Sequence, residues 1–268
     1  MGLDNFCYWC YTMVVGFDIV AGSCFDHREL GGTTVPFTKL NRNINWICYM
    51  NFLHEEVELT EMDAVTTDEG RKYRTPEGID LPSITTVLSI LSRESIAKWR
   101  ARVGEEEANR VSYRASTRGT AVHEIIEKYV NNDPNFKEGY TPDIIGSFLD
   151  LKPILDERLT KVYAQEAPLY STHLGVAGRV DCVGVFDGKI SIIDYKTSMK
   201  PKKKDWVKNY FMQEAGYAVM WEERTGMPIT QLVTIISVDN NEPQVFIEHR
   251  DNWINTLKNT IRKYNDEQ

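Results

Sequence analysis

The chain has 268 residues, 42% of them hydrophobic and 26% charged, with a formal net charge of −8. Such a length and composition are typical of a globular protein with a sizeable core. The negative charge excludes a protein that coats nucleic acid by overall attraction, although a local basic channel is still compatible with it.

No uninterrupted apolar stretch reaches the roughly 18 residues that a membrane span requires. The apolar segment 13–22 contains Asp18 and follows no Lys or Arg, so we expect neither a signal peptide nor a membrane anchor. The five cysteines are odd in number and form no compact zinc-ligand pattern. We therefore expect a cytoplasmic protein with reduced thiols.

Residues 1–49 differ in character from the rest of the chain. They are rich in aromatic residues, Cys and Gly and show no clear periodicity, and Met50 directly precedes sequence of conventional character. We interpret 1–49 as a dispensable extension and Met50 as the functional start. Removal of residues 1–49 is expected to leave folding and activity intact.

Helices are predicted from Pro82 onward. Ser83 is a suitable N-cap residue for the first of them. Pro153 interrupts the pattern of the last one. The predicted helices cover residues 84–91, 96–103, 105–130 and 144–162.

The hydrophobic period then changes from helical to alternating. Strands are predicted over 163–171, 175–186 and 189–197, and Asp187-Gly188 joins the last two as a two-residue type I′ turn. A helix over 206–225, strand material at 229–238 and 244–248, and a final helix over 251–264 follow. The core order is therefore α, β, β, β, α, β, an α/β (α+β) fold class.

The Asp-Gly turn sets the register of the two strands that it joins. Counting back from the turn places Asp181 directly opposite Asp194, and like charges at such positions destabilise a sheet. Lys196 lies on the same face, two residues beyond Asp194, with Arg179 opposite it. This arrangement predicts a divalent-cation site with a cationic assistant. The alternative is that the two acids are solvated strand ends.

Two helices carry further candidate residues. His123 and Glu127 are four residues apart, as are Gln213 and Tyr217, so each pair shares one helical face. Taken alone, a helical histidine is more often structural, and a Gln with a Tyr usually marks the wet edge of a helix.

A lysine-rich segment follows the candidate acids. Six lysines fall within thirteen residues: Lys196, Lys200, Lys202, Lys203, Lys204 and Lys208. Such a run is usually a solvated loop, but a neighbouring metal site favours contact with phosphate. Nearby aromatic residues could stack on the bases of a single strand: Tyr195, Trp206, Tyr210 and Phe211. For Phe211, packing in the core is the commoner role.

Taken in order, these residues resemble the motifs of a known family. Gly178-Arg179-Val180-Asp181 and Ile192-Ile193-Asp194-Tyr195-Lys196-Thr197-Ser198 lie between Gly119…His123 and Gln213…Tyr217. The set resembles the RecB-like branch of the PD-(D/E)xK nuclease superfamily, especially its single-domain exonucleases of phages and mitochondria. The resemblance implies a restriction-endonuclease-like core with a central mixed sheet flanked by helices, in a nuclease domain over 50–268.

The resemblance also implies roles for individual residues. The implied metal ligands are Asp181, Asp194, His123 and the backbone carbonyl of Tyr195. Lys196 is the implied catalytic lysine. Implied or expected DNA contacts are Gln213, Tyr217, Lys200, Lys202, Lys203 and Lys204, and the accessory candidates are Glu127, Glu166 and Arg179. Hard oxygen ligands suit Mg²⁺ or Mn²⁺. No cysteine follows Cys182, so we do not expect the iron–sulfur cluster of some relatives.

The expected activity is a Mg²⁺- or Mn²⁺-dependent exonuclease acting on single-stranded DNA or DNA ends in replication, recombination or repair. An endonuclease of the same fold would use the same site and differ in how DNA reaches it. A catalytically silent DNA-binding module is a third alternative, but binding alone has no need of paired acids that face a polyanion. No protein partner is implied.

Overall fold

The computed structural model describes residues 52–68 and 70–268, so the predicted extension over 1–49 and the start at Met50 lie outside the described residues. The strands are β1 (Leu53–His54), β2 (Asp63–Thr67), β3 (Gly70–Arg74), β4 (Asp80–Pro82), β5 (Leu159–Ser171), β6 (Val176–Phe186), β7 (Lys189–Ser198), β8 (Gln231–Val238) and β9 (Gln244–His249). The helices are α1 (Ile84–Ser89), α2 (Arg93–Val103), α3 (Glu105–Val130), α4 (Pro142–Arg158), α5 (Lys208–Thr225) and α6 (Ile254–Asp266).

Six strands form a mixed sheet in the order β1-β5-β6-β7-β8-β9. The pairs β5–β6, β6–β7 and β8–β9 are antiparallel, and the pairs β1–β5 and β7–β8 are parallel. Helix α5 makes the crossover between the parallel neighbours β7 and β8, as a parallel pair requires. The predicted order α, β, β, β, α, β and the central mixed sheet are both confirmed.

Helices cover both faces of this sheet. Successive residues of β7 face opposite sides, since Ile192 packs in the core that contains Trp221 of α5, whereas Ile193 packs in the core that contains Phe148 of α4. Both cores are fully buried at these positions. The central strands are therefore fixed from two sides, and their exposed ends are held rigidly.

The predicted hairpin is confirmed in its turn and register. Asp187 has a φ of 51° and Gly188 a φ of 74°, the two positive values that a type I′ turn requires. Phe186 pairs with Lys189, and the ladder continues to Cys182 opposite Ile193. This register brings Asp181 and Asp194 to the next position, opposite each other.

The predicted N-cap is also confirmed, since the Ser83 side chain accepts a hydrogen bond of 3.0 Å from the Thr86 amide. Residues 159–162 were wrongly predicted as helix, because β5 begins at Leu159 and pairs with β6. Pairing with a central strand here outweighs the local helical pattern. Pro153 lies inside α4 without ending it.

A second sheet was not predicted. Strands β2, β3 and β4 form an antiparallel sheet whose outer strand, β2, is exposed along its length. It packs on the main body through a small core that includes Tyr73, Leu81 and Tyr170. Polar, exposed strands of this kind carry no alternating hydrophobic signal.

Among the helices that the structure describes, none is both long and apolar enough to cross a membrane.

Candidate active site

Three side chains from three different elements converge beside the main sheet. His123 comes from α3, Glu166 from β5 and Asp181 from β6, and one ligand atom of each lies within 4.8 Å of the others. Gln165 pairs with Cys182 and Ala167 with Val180, so Glu166 and Asp181 lie opposite each other between these two pairs. We call His123, Glu166 and Asp181 the acid–histidine cluster.

The orientation of His123 is fixed by the backbone of β7. Its Nε2 lies 2.7 Å from the carbonyl oxygen of Tyr195, and a carbonyl only accepts, so Nε2 carries the hydrogen. The other ring nitrogen, Nδ1, lies 3.6 Å from an Asp181 oxygen and 4.0 Å from a Glu166 oxygen. In a neutral imidazole this nitrogen is an acceptor, so a proton or a cation must lie between it and the carboxylates to make the arrangement attractive.

Asp181 also holds the end of the hairpin ladder. Its Oδ2 accepts a hydrogen bond of 2.8 Å from the Tyr195 amide. The Tyr195 N–H therefore donates to Asp181, and the Tyr195 carbonyl accepts from His123. The backbone of one residue thus orients two members of the cluster. The carbonyl predicted as a metal ligand acts here as the acceptor that orients the imidazole.

Asp194 lies beside the cluster and is buried, with 1% of its surface exposed. Lys196 Nζ forms an ion pair with its Oδ2, and Gln213 Nε2 donates to its Oδ1 at 3.3 Å. Burial, together with the charge of Asp181, raises the pKa of Asp194 to about 6 against the lowering effect of Lys196. Burial alone would lower the pKa of Lys196, but the two aspartates more than offset it, so Lys196 keeps its proton.

Glu166 is the member of the cluster whose ionisation is most affected. Burial, and then the charge of Asp181, raises its pKa to about 7. Glu127, predicted as an accessory residue, adds to this effect, and it lines a cavity of about 290 Å³ together with Glu166. Two facing carboxylates, one of which has a raised pKa, are typical of a site that binds a cation or a proton.

A known family matches the part of the chain that carries this site. The PD-(D/E)XK nuclease superfamily matches residues 93–267. The chain belongs to this superfamily. The matched range contains the acid–histidine cluster together with Asp194, Lys196 and Gln213.

Individual relatives are more distant. The mitochondrial genome maintenance exonuclease 1 of Homo sapiens is 25% identical over 130 residues, and that of Mus musculus is 28% identical over 130 residues. Each match covers 46% of this chain and only 38% of the relative's length. A crystal structure of a candidate exonuclease from Eubacterium rectale covers 57% of this chain and 68% of its own, at 15% identity and a TM-score of 0.37.

Gln213 and Tyr217 support Asp194 from α5. Gln213 Nε2 lies 3.5 Å from the Tyr217 hydroxyl, and Tyr217 is only 2% exposed. A Cβ on Gly178 would come within 2.8 Å of the Tyr217 ring, so the absence of a side chain at Gly178 makes room for it. Tyr217 thus packs beneath the acids, and its contact with DNA stays a prediction.

Arg179 was predicted to lie opposite Lys196, but the structure places it elsewhere. It pairs with Pro168 on β5, and its guanidinium donates to the Glu166 carbonyl oxygen and, at 2.9 Å, to Glu61. The pairing of β6 with β7 ends before Arg179, so this side chain turns toward β5 instead.

The predicted DNA-contacting lysines differ in their surroundings. Lys204 and Lys208 form ion pairs with Glu248 and Asp205. Lys202 is held through its backbone, which exchanges two hydrogen bonds with the Gln244 side chain. Lys200 and Lys203 are exposed, and no acid pairs with either of them within residues 52–68 and 70–268.

Of the predicted stacking residues, Trp206 alone is largely exposed, at 63%, and Lys203 Nζ lies 5.3 Å from the centre of its ring. Tyr195 is buried, so it is not placed to stack on a base, and Phe211 packs in the core, the role expected to be the commoner one for it. Tyr195 faces the α4-side core because alternation along β7 directs it there. Tyr210 is partly buried, and the Lys196 ammonium lies 5.3 Å from its ring centre.

One residue of the site was missed. Glu214 is fully buried on α5, is hydrogen-bonded to Thr234 and faces Asp194 closely enough that, after burial, the Asp194 charge raises its pKa further. Thr234 is the neighbour of Asp194 in the β7–β8 ladder. A glutamate in a helix normally lies on the solvated face, so nothing in the sequence marked it.

Proposed function

We propose that this nuclease hydrolyses the phosphodiester bonds of DNA with the help of Mg²⁺ or Mn²⁺, and that it acts as an exonuclease on single strands or DNA ends. The observation that supports metal dependence best is the position of His123 Nδ1, an acceptor that faces the oxygens of Asp181 and Glu166 at 3.6 and 4.0 Å. A divalent cation satisfies all three groups at once.

The residues present fit such an ion. His123 Nδ1, Asp181 and Glu166 would hold it, and Asp194 would join them when its carboxylate is released from Lys196. One imidazole and several carboxylates suit Mn²⁺ as well as Mg²⁺. A divalent cation bound there would polarise the phosphoryl oxygen and lower the pKa of a bound water.

Lys196 provides the second element of the mechanism. It stays protonated because Asp194 and Asp181 raise its pKa, and it lies 5.3 Å from the Tyr210 ring centre, on the side of the lysine-rich segment. A fixed positive charge beside the phosphate stabilises the negative charge that develops during phosphoryl transfer. We assign this role to Lys196, with Gln213 holding Asp194 in place.

The charge distribution around the site supports a path for the DNA. Lys200, Lys203 and Trp206 are exposed on the segment after β7, and they offer phosphate contacts and a stacking surface. The cavity on the Glu166 side is instead lined by acids, including Glu56 and Glu61, which disfavours a continuing phosphate backbone. This asymmetry of charge favours binding of the end of a DNA strand over binding of an internal stretch of the strand.

The names of the mammalian relatives support the proposal of an exonuclease. The proposal also includes a role in replication, recombination or repair, as in phage exonucleases. The test uses single strands labelled at the 5′ or the 3′ end, and circular single strands, with and without Mg²⁺ or Mn²⁺. We expect metal-dependent shortening of linear strands and intact circles.

The rival functions give different results in the same assay. Cleavage of circles would establish an endonuclease. Binding of DNA without cleavage in either metal would establish a silent binding module. An Asp194→Asn variant serves as the matched control, because it should bind DNA without cleaving it.

A further inference from the structure

Glu166 has an unusual backbone conformation. Its φ is 44°, in the left-handed region that residues other than Gly, Asn and Asp rarely adopt. It lies within the 13-residue strand β5 rather than in a turn. A residue of this kind keeps such a conformation only when its surroundings hold it there.

This conformation determines where the carboxylate points. Ala164 and Ala167 both pack against the α5-side core, although residues three apart in a regular strand face opposite sides. The alternation is therefore interrupted in the interval that contains Glu166, and the facing strand β6 shows the same spacing at Val180 and Val183. In a regular strand Glu166 would face the same way as Ala164, toward the apolar core. Its carboxylate instead lies beside His123 and beside Asp181, its partner across the strands.

Arg179 is placed to hold this interruption. It pairs with Pro168 across β5 and β6, and proline provides no N–H for the ladder at that point. The Arg179 guanidinium donates through Nη1 to the carbonyl oxygen of Glu166 and through Nη2 to Glu61 at 2.9 Å. The Arg179 side chain thus supplies, next to the cluster, a donor for the backbone of β5 where Pro168 has no N–H.

We propose that Arg179 is a positioning residue: its contact with the Glu166 carbonyl keeps Glu166 in the left-handed conformation and so directs its carboxylate into the metal site. The metal part of this inference rests on the proposed function. Arg179 contacts Glu166 through the backbone carbonyl of that residue and not through its carboxylate, so it acts on the proposed metal site only through Glu166.

The test is a double-mutant cycle read by Mn²⁺ binding to the whole protein, measured by electron paramagnetic resonance. Arg179→Gln and Glu166→Gln are each expected to weaken Mn²⁺ binding by about 10-fold or more. The double variant is expected to bind no more weakly than Glu166→Gln alone, because Arg179 acts only through that carboxylate. Additive losses would overturn the inference.

Three further variants act as controls. Arg179→Lys keeps a charged donor and should restore most of the Mn²⁺ affinity. Arg158→Gln replaces the last residue of α4, an arginine that pairs with Asp187 at the hairpin turn, and should leave Mn²⁺ affinity unchanged. Glu61→Gln breaks the ion pair of Arg179 but spares its contact with the carbonyl, so a loss as large as that of Arg179→Gln would overturn the inference.

A crystal structure of Arg179→Gln separates this inference from the proposed function. We expect the φ of Glu166 to return to a negative value and its carboxylate to leave the cluster. A φ that stays positive would overturn the positioning role. If the unaltered protein binds no Mn²⁺, the metal-dependent function fails, and the conformation of Glu166 in this variant still decides the role of Arg179.

Discussion

Lys196 and Asp194 form an ion pair on one face of strand β7, in which Asp194 is buried and Lys196 is partly exposed. Asp194 is 1% exposed, so its charge has Lys196 and the Gln213 amide as its stabilising contacts among the described side chains. Under the proposed function, a cation that bound Asp194 would compete with Lys196 for the same carboxylate.

Lys196→Ala is expected to reduce cleavage by about 10²- to 10³-fold, because the charge that stabilises the reacting phosphate is lost. DNA binding should be largely retained, as measured by fluorescence anisotropy with labelled single strands. Without divalent cation, the variant should also be less stable by roughly 3–5 kcal/mol, because Asp194 loses a buried partner. A variant that cleaves at the normal rate would contradict the assigned role.

The stability of the metal-free protein should fall as the pH rises. The pKa of Glu166 is raised from 4.5 to about 7 and that of Asp194 from 3.8 to about 6, so both acids ionise less readily in the folded protein. Their contribution is complete below the unfolded values and is lost as the pH passes through the folded values. We expect the melting temperature to decrease between about pH 4 and pH 7, the interval between the unfolded and folded pKa values of the two acids.

Two changes should remove this dependence on pH. Glu166→Gln takes away the ionisation with the higher pKa and should flatten the profile. Saturating Mn²⁺ should raise the melting temperature most at the alkaline end, where the carboxylates are free to bind it. A metal-free profile that rises over the same range would contradict the direction of both pKa shifts.

Gly178→Ala should reduce activity without contacting any reacting group. The added Cβ would lie 2.8 Å from the Tyr217 ring, so Tyr217 must shift, and with it the Gln213 amide that holds Asp194. We expect a loss of about 10- to 100-fold in kcat with little change in KM. The matched control is Gly146→Ala in α4, where no atom lies within 4 Å of the new Cβ. That variant should keep its activity and be more stable by about 0.5–1 kcal/mol.

Trp206→Ala should weaken single-strand binding by about 1–3 kcal/mol, the usual contribution of one stacked base. Lys203→Ala should reduce the salt dependence of binding by about 0.7 in the slope of log K against log salt. Lys263→Ala removes an exposed lysine from α6 and is the matched control. An unchanged affinity in Trp206→Ala would place the DNA path elsewhere.

Most of the core could be predicted from the sequence because its signals are local. The Asp187-Gly188 turn determines its own geometry and, through the period of two along each strand, the position of Asp181 opposite Asp194. Ser83 likewise caps its helix through the amide of Thr86, only three residues away. The strands at 159–162 and in the second sheet depend on distant partners, and the sequence pattern there is helical or uninformative.

The same distinction applies to the site. Asp181 and Asp194 were predicted together because they belong to one hairpin, whereas Glu166 was only an accessory candidate. The place of Glu166 in the cluster depends on its unusual φ in β5 and on the guanidinium of Arg179 from β6. Neither feature follows from the local sequence. Glu214 was missed for the related reason that burial of a helical glutamate is decided by tertiary packing.

Cys182, between Asp181 and Val183, lies in β6, the strand that carries Asp181. It is fully buried, and burial raises the pKa of its thiol to about 12. Thiolate is the form that oxidants and alkylating reagents attack. The packing that fixes Asp181 therefore also keeps the adjacent sulfur chemically inert, so we expect the proposed metal site to be insensitive to oxidation at this position as long as the central sheet stays folded.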